Sequence, residues 1–342
     1  MWVFMVDSSK NKILSFIENA LSSIYFIPIM LAFGFICWEF NWTELVVLVY
    51  AFSLILILLF CSDVKNIFMP LFFVAFFIPD LEVMTNFLTY YIAIGAVVFT
   101  LIAFFIYKIV KDGIKILKGG KFTFGLLFYF LAFMLAGIIG QFIFVKFLTI
   151  LMFIVAIYIF YVIAVNYTNN LKEYFEKLLL MGGFVLGVQI MQNLLSENST
   201  NFFSAVCINT VALYSTMAII ASFTLALKVK RDYLYFLLAI VLNLFVAMSF
   251  CRMAMLLAVI IDLVFTIMLF KKTKNVKTII IMIIATFVVI GITVLLFEPV
   301  KEFWVRVFTG KKGLTGREEL WAFCFERFLE RPIFGYGFFY FD

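Results

Sequence analysis

The 342 residues include 26 Lys and Arg against 20 Asp and Glu, for a formal net charge of +6; 66% are hydrophobic and only 13% are charged. With a mean hydropathy of +1.17, this composition excludes a soluble domain and reads as a polytopic membrane protein. No His accompanies the 48 Phe, which removes the commonest general base and metal ligand; the scattered Cys37, Cys61, Cys207, Cys251 and Cys324 form no C-x-x-C pair and read as small apolar residues.

Residues 1–20 are too polar to span a bilayer, and no small-residue cleavage site follows a short apolar core, so no cleaved signal peptide is expected. Lys10 and Lys12 hold this end in the cytoplasm. Apolar runs of the length that crosses hydrocarbon, roughly 20 residues, follow near 21–37, 45–61, 67–79, 88–107, 122–142, 147–166, 178–195, 203–227, 233–250, 253–270 and 278–297. They predict an all-α transmembrane bundle of about eleven spans, of which 67–79 is short and carries Pro70.

Successive connections alternate in basic content. One set carries Lys65, then Lys108, Lys111, Lys115, Lys118 and Lys121, then Lys172 and Lys177, then Lys228, Lys230 and Arg231, then Lys271, Lys272, Lys274 and Lys277. The other has only Lys146 and Arg252, and holds Glu39, Glu44, Asp80, Glu82 and Glu197 instead. Because basic loops stay in the cytoplasm, the N-terminus is expected inside and the tail outside. This divides the chain into a bundle, residues 1–297, and an extracytoplasmic region, residues 298–342.

Inside the bundle, Asp262 lies midway through the tenth predicted span, where a charge is costly. It reads either as a proton or ion relay or as a partner for a polar neighbour such as Asn243. Gln189, Gln192 and Asn193, near the end of the seventh span, either line a sugar site or bond between helices.

The tail is the one long polar segment. Thr315 followed by Glu318 is a capping box, and Pro332 disfavours a helical Arg331, so a helix is expected over 316–330. It lies along the outer surface as an amphipathic element in a C-terminal outer loop. At about 100° per residue, Leu320, Trp321, Cys324, Phe325 and Phe328 share a face, with Glu319, Glu326 and Glu330 opposite. Trp321, Phe325 and Phe328 are expected to turn toward the bundle. Arg317 falls on this apolar face, where its head either snorkels to water or meets an anion. Arg252 is likewise the lone cation of a minimal outer turn, anchored to lipid phosphate or reserved for a phosphate-bearing ligand.

Two stretches carry a resemblance. Ser249-Phe250-Cys251-Arg252-Met253-Ala254 is similar to an S-x-S-R-x-A motif that opens a late membrane helix, with Cys251 for the second Ser. Gly316-Arg317-Glu318-Glu319-Leu320-Trp321 and Arg331-Pro332-Ile333-Phe334-Gly335-Tyr336-Gly337-Phe338 resemble a G-R-x-x-L-W and P-hydrophobic-x-G-x-G-F outer-loop signature. Together they resemble the O-antigen ligase and polysaccharide polymerase family of bacterial cytoplasmic membranes. In that family the outer loop continues to a His-Asn stretch and the chain re-enters the membrane. Here the chain ends at Asp342 and holds no counterpart of that His, so a shortened or incomplete form is expected.

The resemblance implies transfer of a growing glycan from one lipid diphosphate to a hydroxyl on an incoming lipid-linked repeat unit. Charge then develops on phosphate oxygens, which a guanidinium fork binds bidentately while staying protonated. Arg252 and Arg317 are the first candidates and Arg331 the third, with free N–H groups near Gly316 adding the positive end of a helix dipole. Glu318 is the nearest candidate base, with Asp80 or Glu82 from another outer loop as alternatives. Leu320, Trp321, Pro332, Gly335 and Gly337 complete the motif. The implied partners are a polyprenyl-diphosphate-linked oligosaccharide, membrane lipid, and a chain-length regulator or other glycan-assembly proteins; no nucleic acid, cofactor or metal is expected.

Three rival readings use the same residues. A transporter or flippase would carry more titratable groups inside the bundle and discontinuous helices at repeat interfaces. A metal-dependent glycosyltransferase would use Asp80-x-Glu82 to hold a divalent cation. The third is a non-catalytic assembly subunit. The predicted threading makes a direct demand: in intact cells, a Cys placed at Lys115 in a cysteine-free background stays unmodified by a membrane-impermeant thiol reagent, and modification there would reverse the orientation.

Overall fold

Hydrocarbon offers no partner for an unpaired backbone N–H or C=O, so an apolar run crossing it must pair these groups within itself, as a helix does. The computed structural model describes residues 12–78, 87–112, 120, 122–139, 155, 157–195, 208–228, 232–249, 251–272 and 317–332, with single positions at 280, 283, 284, 287, 291 and 298. Every regular element among them is helical. In chain order they are α1 (Lys12–Ser22), α2 (Phe26–Glu39), α3 (Thr43–Phe60), α4 (Phe68–Phe73), α5 (Phe87–Asp112), α6 (Thr123–Ile139), α7 (Ile157–Asn166), α8 (Leu171–Leu195), α9 (Ile208–Lys228), α10 (Asp232–Met248), α11 (Arg252–Lys272) and α12 (Arg317–Glu330). Short 3-10 turns, Lys65–Ile67 and Val74–Phe77, flank α4.

Two compact units result, Met1–Phe104 with Asn169–Val305 and Phe105–Thr168 with Arg306–Asp342. In the first, α8 packs against α2, α9 and α10. It carries Gly183-Phe184-Val185-Leu186-Gly187, two glycines one turn apart, which let neighbouring helices approach closely. A Cβ at Gly183 would overlap Ala218 of α9 and come to 3.4 Å from Leu242 of α10; a Cβ at Gly187 would fall inside the Phe245 ring of α10. Next to Gly183 in sequence, Gly182 makes room for the Phe73 ring from α4 and for Tyr214 of α9.

These contacts also give the directions. Lys228, at the end of α9, pairs at 2.6 Å with Glu176 near the start of α8, so these two helices are antiparallel. Ser222 of α9 donates to the Tyr235 carbonyl near the start of α10, which reverses direction again. Residues 183 and 187 of α8 meet 242 and 245 of α10 in ascending order, so α8 and α10 run the same way. Phe223 of α9 stacks on Phe265 of α11 at 5.0 Å, both late in their helices, so that pair is parallel too. Midway, Asn243 donates to the Asp262 carboxylate at 3.1 Å, which is the pairing expected of a carboxyl in mid-span. The Ser215 and Thr216 hydroxyls of α9 return to the carbonyl one turn back.

The N-terminal part of this unit corrects one boundary. The run expected to span from residue 21 is broken at Ser23–Tyr25, where α1 and α2 meet at 73°. The bend is set by hydrogen bonds at the end of α1. Ser22 bonds back to the Glu18 carbonyl at 2.6 Å, and the buried Asn66 amide caps the end of α1 by donating to the Leu21 and Ser23 carbonyls. Glu18 accepts from Ser62 at 2.9 Å, tying α1 to the segment after α3. The run expected over 67–79 is a short broken helix as far as residue 78: Phe73 and Phe77 are fully enclosed, and Tyr50 of α3 meets Phe77 edge-on while donating to the Met30 carbonyl of α2 at 2.8 Å. Pro70 sits in the first turn of α4, where its missing N–H costs little.

In the second unit, Tyr161 of α7 accepts the Phe122 N–H at 3.0 Å where α6 begins, and Lys108 of α5 lies 4.6 Å over the Tyr167 ring after α7. Of the eleven expected spans, four appear as helices long and apolar enough to cross a membrane, or five with the bent pair, and five more as apolar helices of 10–17 residues. Residues 140–154 and the 278–297 run lie outside the described residues, apart from the single positions named above. The exposed stripe of α11, Met253, Leu256, Ile260, Leu263 and Ile267, recurs every three to four residues opposite the buried Ala254, Met255 and Ala258, as a lipid-facing helix requires.

Replacing Gly187 with Ala forces the Phe245 ring from its place, and overpacking of this kind typically costs about 1–3 kcal/mol. The detergent-solubilised Gly187→Ala protein should unfold several degrees below wild type, roughly the shift such a cost produces. Gly95→Ala, where a Cβ meets nothing within 4 Å, should leave the midpoint unchanged or slightly raised.

Candidate functional site

The turn between α10 and α11 is built by two small side chains. Ser249 closes α10 by donating its N–H to the Phe245 carbonyl at 3.0 Å and its hydroxyl to the Val246 carbonyl at 2.6 Å. The same oxygen accepts the Cys251 N–H at 3.3 Å. Cys251 is the N-cap of α11, its carbonyl accepting the Met255 N–H at 3.0 Å. Ser249 and Cys251 are both buried, so the first is a structural link in the turn and the second a small apolar filler that serves where a second Ser could stand. Arg252 is thereby fixed as the first residue of α11.

The tail helix starts at Arg317, one residue later than expected, and ends at Glu330; Gly316 lies outside the described residues. Arg252 and Arg317 thus each open a helix, the position at which unpaired N–H groups and the dipole favour an anion. Arg252 belongs to the first unit and Arg317 to the second. Glu318 and Leu320 occupy the first turn of α12. The exposed Arg331 follows its end, with its N–H on the Arg327 carbonyl at 3.3 Å, and Pro332 lies in the turn beyond. Gly335, Gly337, Asp80 and Glu82 lie outside the described residues.

The aromatic face of α12 is corrected. Trp321, Phe325 and Phe328 were expected to pack on the bundle, yet they are 60%, 61% and 54% exposed. Phe325 and Phe328 stack on each other at 6.4 Å, and Arg327 lies 5.2 Å over Phe323 while pairing with Glu330 at 2.8 Å. The helix therefore settles its side chains largely on itself. An apolar face needs a protein partner only in water; at a bilayer surface lipid covers it.

A contact that sequence reasoning did not single out lies at the end where α2, α8 and α10 finish. Gln189 and Gln192 both bond between helices, Gln189 donating to the Phe76 carbonyl at 3.2 Å and Gln192 to the Glu39 carboxylate. Glu39 is the last residue of α2, which closes with a Schellman motif: Trp42 N–H bonds the Cys37 carbonyl at 2.7 Å, and Asn41 N–H, from a left-handed residue with φ 56°, bonds the Trp38 carbonyl at 3.2 Å. The signal in the sequence was an acid beside the Asn that ends a helix. Among the described residues, no group of three or more His, Cys, Asp or Glu is gathered as metal ligands would be.

Residues 234–342 match a family model described as O-antigen ligase. The match opens in α10 and takes in the Ser249–Arg252 turn, α11, α12 and the Pro332–Phe338 stretch. No curated protein and no solved structure matches the chain.

Ser249→Ala leaves the buried Cys251 N–H without its acceptor, a loss worth about 1–3 kcal/mol. The purified variant should unfold at lower temperature than wild type, and an unchanged midpoint would remove Ser249 from the turn's support.

Proposed function

We propose, from the match of residues 234–342 to a family model described as O-antigen ligase, that the protein is a membrane glycosyltransferase. It joins lipid-diphosphate-linked oligosaccharide repeat units into a surface polysaccharide on the outer face of the bacterial cytoplasmic membrane. The reading includes the threading described above: about eleven spans over residues 1–297, the N-terminus inside, and residues 298–342 outside. The observation that carries it is the family match over 234–342, which spans both arginine motifs, with Arg252 and Arg317 each at the first residue of a helix.

In the proposed reaction an acceptor hydroxyl attacks the anomeric carbon of the donor glycan, the bond to the diphosphate breaks, and the leaving electron pair stays on phosphate oxygen. Arg252 and Arg317 bear that charge, with Arg331 as a further phosphate contact; each guanidinium stays protonated and offers a planar fork. A fixed donor of this kind stabilises the transition state more than the ground state, because the phosphate charge grows as the bond breaks. Transfer onto a lipid acceptor, the ligase form of the same chemistry, is the second reading, favoured by the description of the matched family. It needs the same arginines and differs only in the hydroxyl that attacks.

Arg252→Lys and Arg317→Lys keep the charge and lose the fork. Each should shorten surface glycan strongly in a strain that depends on this protein, by roughly 100-fold or more in transfer rate, the usual cost of one fixed transition-state contact. Lys311→Gln and Lys312→Gln, outside the motif, should leave chain length nearly unchanged. Normal long chains from both arginine variants would set the diphosphate reading aside in favour of transport.

A further inference from the structure

The turn that joins α2 to α3 gathers aromatic rings and hydrogen-bonding groups on one exposed stretch of chain. We propose that it is a carbohydrate subsite: Phe40 and Trp42 offer an apolar platform to one face of a sugar ring, and Glu39, held by Gln192, accepts from its hydroxyls. The proposal rests on the glycosyltransferase reading above, in whose threading this turn lies on the outer side with the glycan.

The turn is Glu39-Phe40-Asn41-Trp42-Thr43-Glu44, from the last residue of α2 into the first turn of α3. Its backbone folds back on α2. The Phe40, Asn41 and Trp42 N–H groups return to the carbonyls of Ile36, Trp38 and Cys37 at 3.1, 3.2 and 2.7 Å, and the left-handed Asn41 completes the reversal. Backbone bonds therefore close the turn. Its two rings nevertheless lie against each other, Phe40 and Trp42 stacked with centroids 5.1 Å apart and planes 25° apart, while 60% and 52% exposed. Beside them the exposed Glu39 carboxylate is fixed from another helix by the Gln192 amide of α8. Platform and carboxylate thus stand on neighbouring residues of one tight turn.

A sugar ring presents C–H groups on a face, which pack on an aromatic ring, and hydroxyls around its edge, which donate to carboxylates. Gln192 donates one N–H to Glu39, and the carboxylate keeps lone pairs for further donors. Aromatic rings at a membrane end also serve as bilayer anchors, and charge separates the two uses. A headgroup phosphate attracts cations and repels carboxylates. Residues 39–44 hold no Lys or Arg and two acids, Glu39 and Glu44. A ring bearing hydroxyls fits that turn, and a phosphate does not. By the same reasoning the turn takes the glycan part of the substrate, and its diphosphate is left to the arginines.

The test uses the full chain in a zwitterionic detergent free of sugar. One probe is the phosphate-free oligosaccharide released by mild acid from lipid-linked repeat units of a strain deleted for this protein; the other is a sugar-free polyprenyl diphosphate. Trp42→Ala should weaken the oligosaccharide by about three- to tenfold, the worth of one aromatic contact. Trp42→Phe, which keeps a platform, should restore most of it. Glu39→Ala should weaken it by about tenfold or more, as loss of a charged hydrogen-bond acceptor does. All three should keep the thermal midpoint and the polyprenyl diphosphate affinity. Wild-type oligosaccharide affinity in Trp42→Ala overturns the proposal; quenching of Trp42 fluorescence by brominated lipid, with the other Trp replaced by Phe, would then assign the rings to the bilayer. Should Trp42→Ala lose its fold, Glu39→Ala decides, and an unchanged affinity there overturns the subsite. A wild-type chain that binds polyprenyl diphosphate and not the oligosaccharide overturns the subsite and leaves the diphosphate reading standing. Binding of neither probe overturns both.

Discussion

The closest approach in the first unit is made at the glycines of α8. A bundle in lipid gains little from hiding one apolar surface against another, because the tails outside are equally apolar; close packing and interhelical hydrogen bonds must hold it instead. Gly182, Gly183 and Gly187 supply the closeness. Their missing side chains admit Phe73, Ala218 and Phe245, and so fix how high α4, α9 and α10 ride on α8. Once that register is set, Glu176 meets Lys228 at one end and Gln192 meets Glu39 at the other. The polar contacts are consequences of the fit at the glycines, which is why their partners lie so far apart in sequence.

Polar groups inside this bundle are few, and several are paired within it: Ser215 bonds its own helix, Tyr50 and Ser222 bond a neighbouring helix, Asn66 caps α1, and Asn243 shares its amide with Asp262. Against that background the groups at the end of α2, α8 and α10 stand apart. Arg252 opens a helix after a turn whose hydrogen bonds Ser249 already completes, and Glu39 closes a helix whose carbonyls are satisfied without it.

The tail helix shows the same economy from the outside. Its Arg327–Glu330 pair and the Phe325–Phe328 stack are made within α12 itself, and the aromatic face stays open. The apolar stripe over Trp321, Phe325 and Phe328 was legible from 3.6-residue periodicity. What that stripe faces was not, because periodicity separates apolar from polar sides and is blind to whether protein or lipid lies beyond.

Much of the rest was written in the sequence. Composition alone required helices, since no other local structure satisfies a backbone in hydrocarbon, and most apolar runs recur as helices within a few residues of their predicted bounds. The start of the tail helix was readable to within one residue, because the signals that open a helix act over three or four residues. The break at Ser23–Tyr25 escaped, because its cap comes from Asn66, more than forty residues away. The Glu39–Gln192 contact escaped for the same reason at greater range. The sequence by itself determined the class, the helices and the motif positions, all set by neighbours along the chain. Only the tertiary structure decided which carboxylate is held beside which helix end, because that depends on the heights at which glycine faces let separate helices settle.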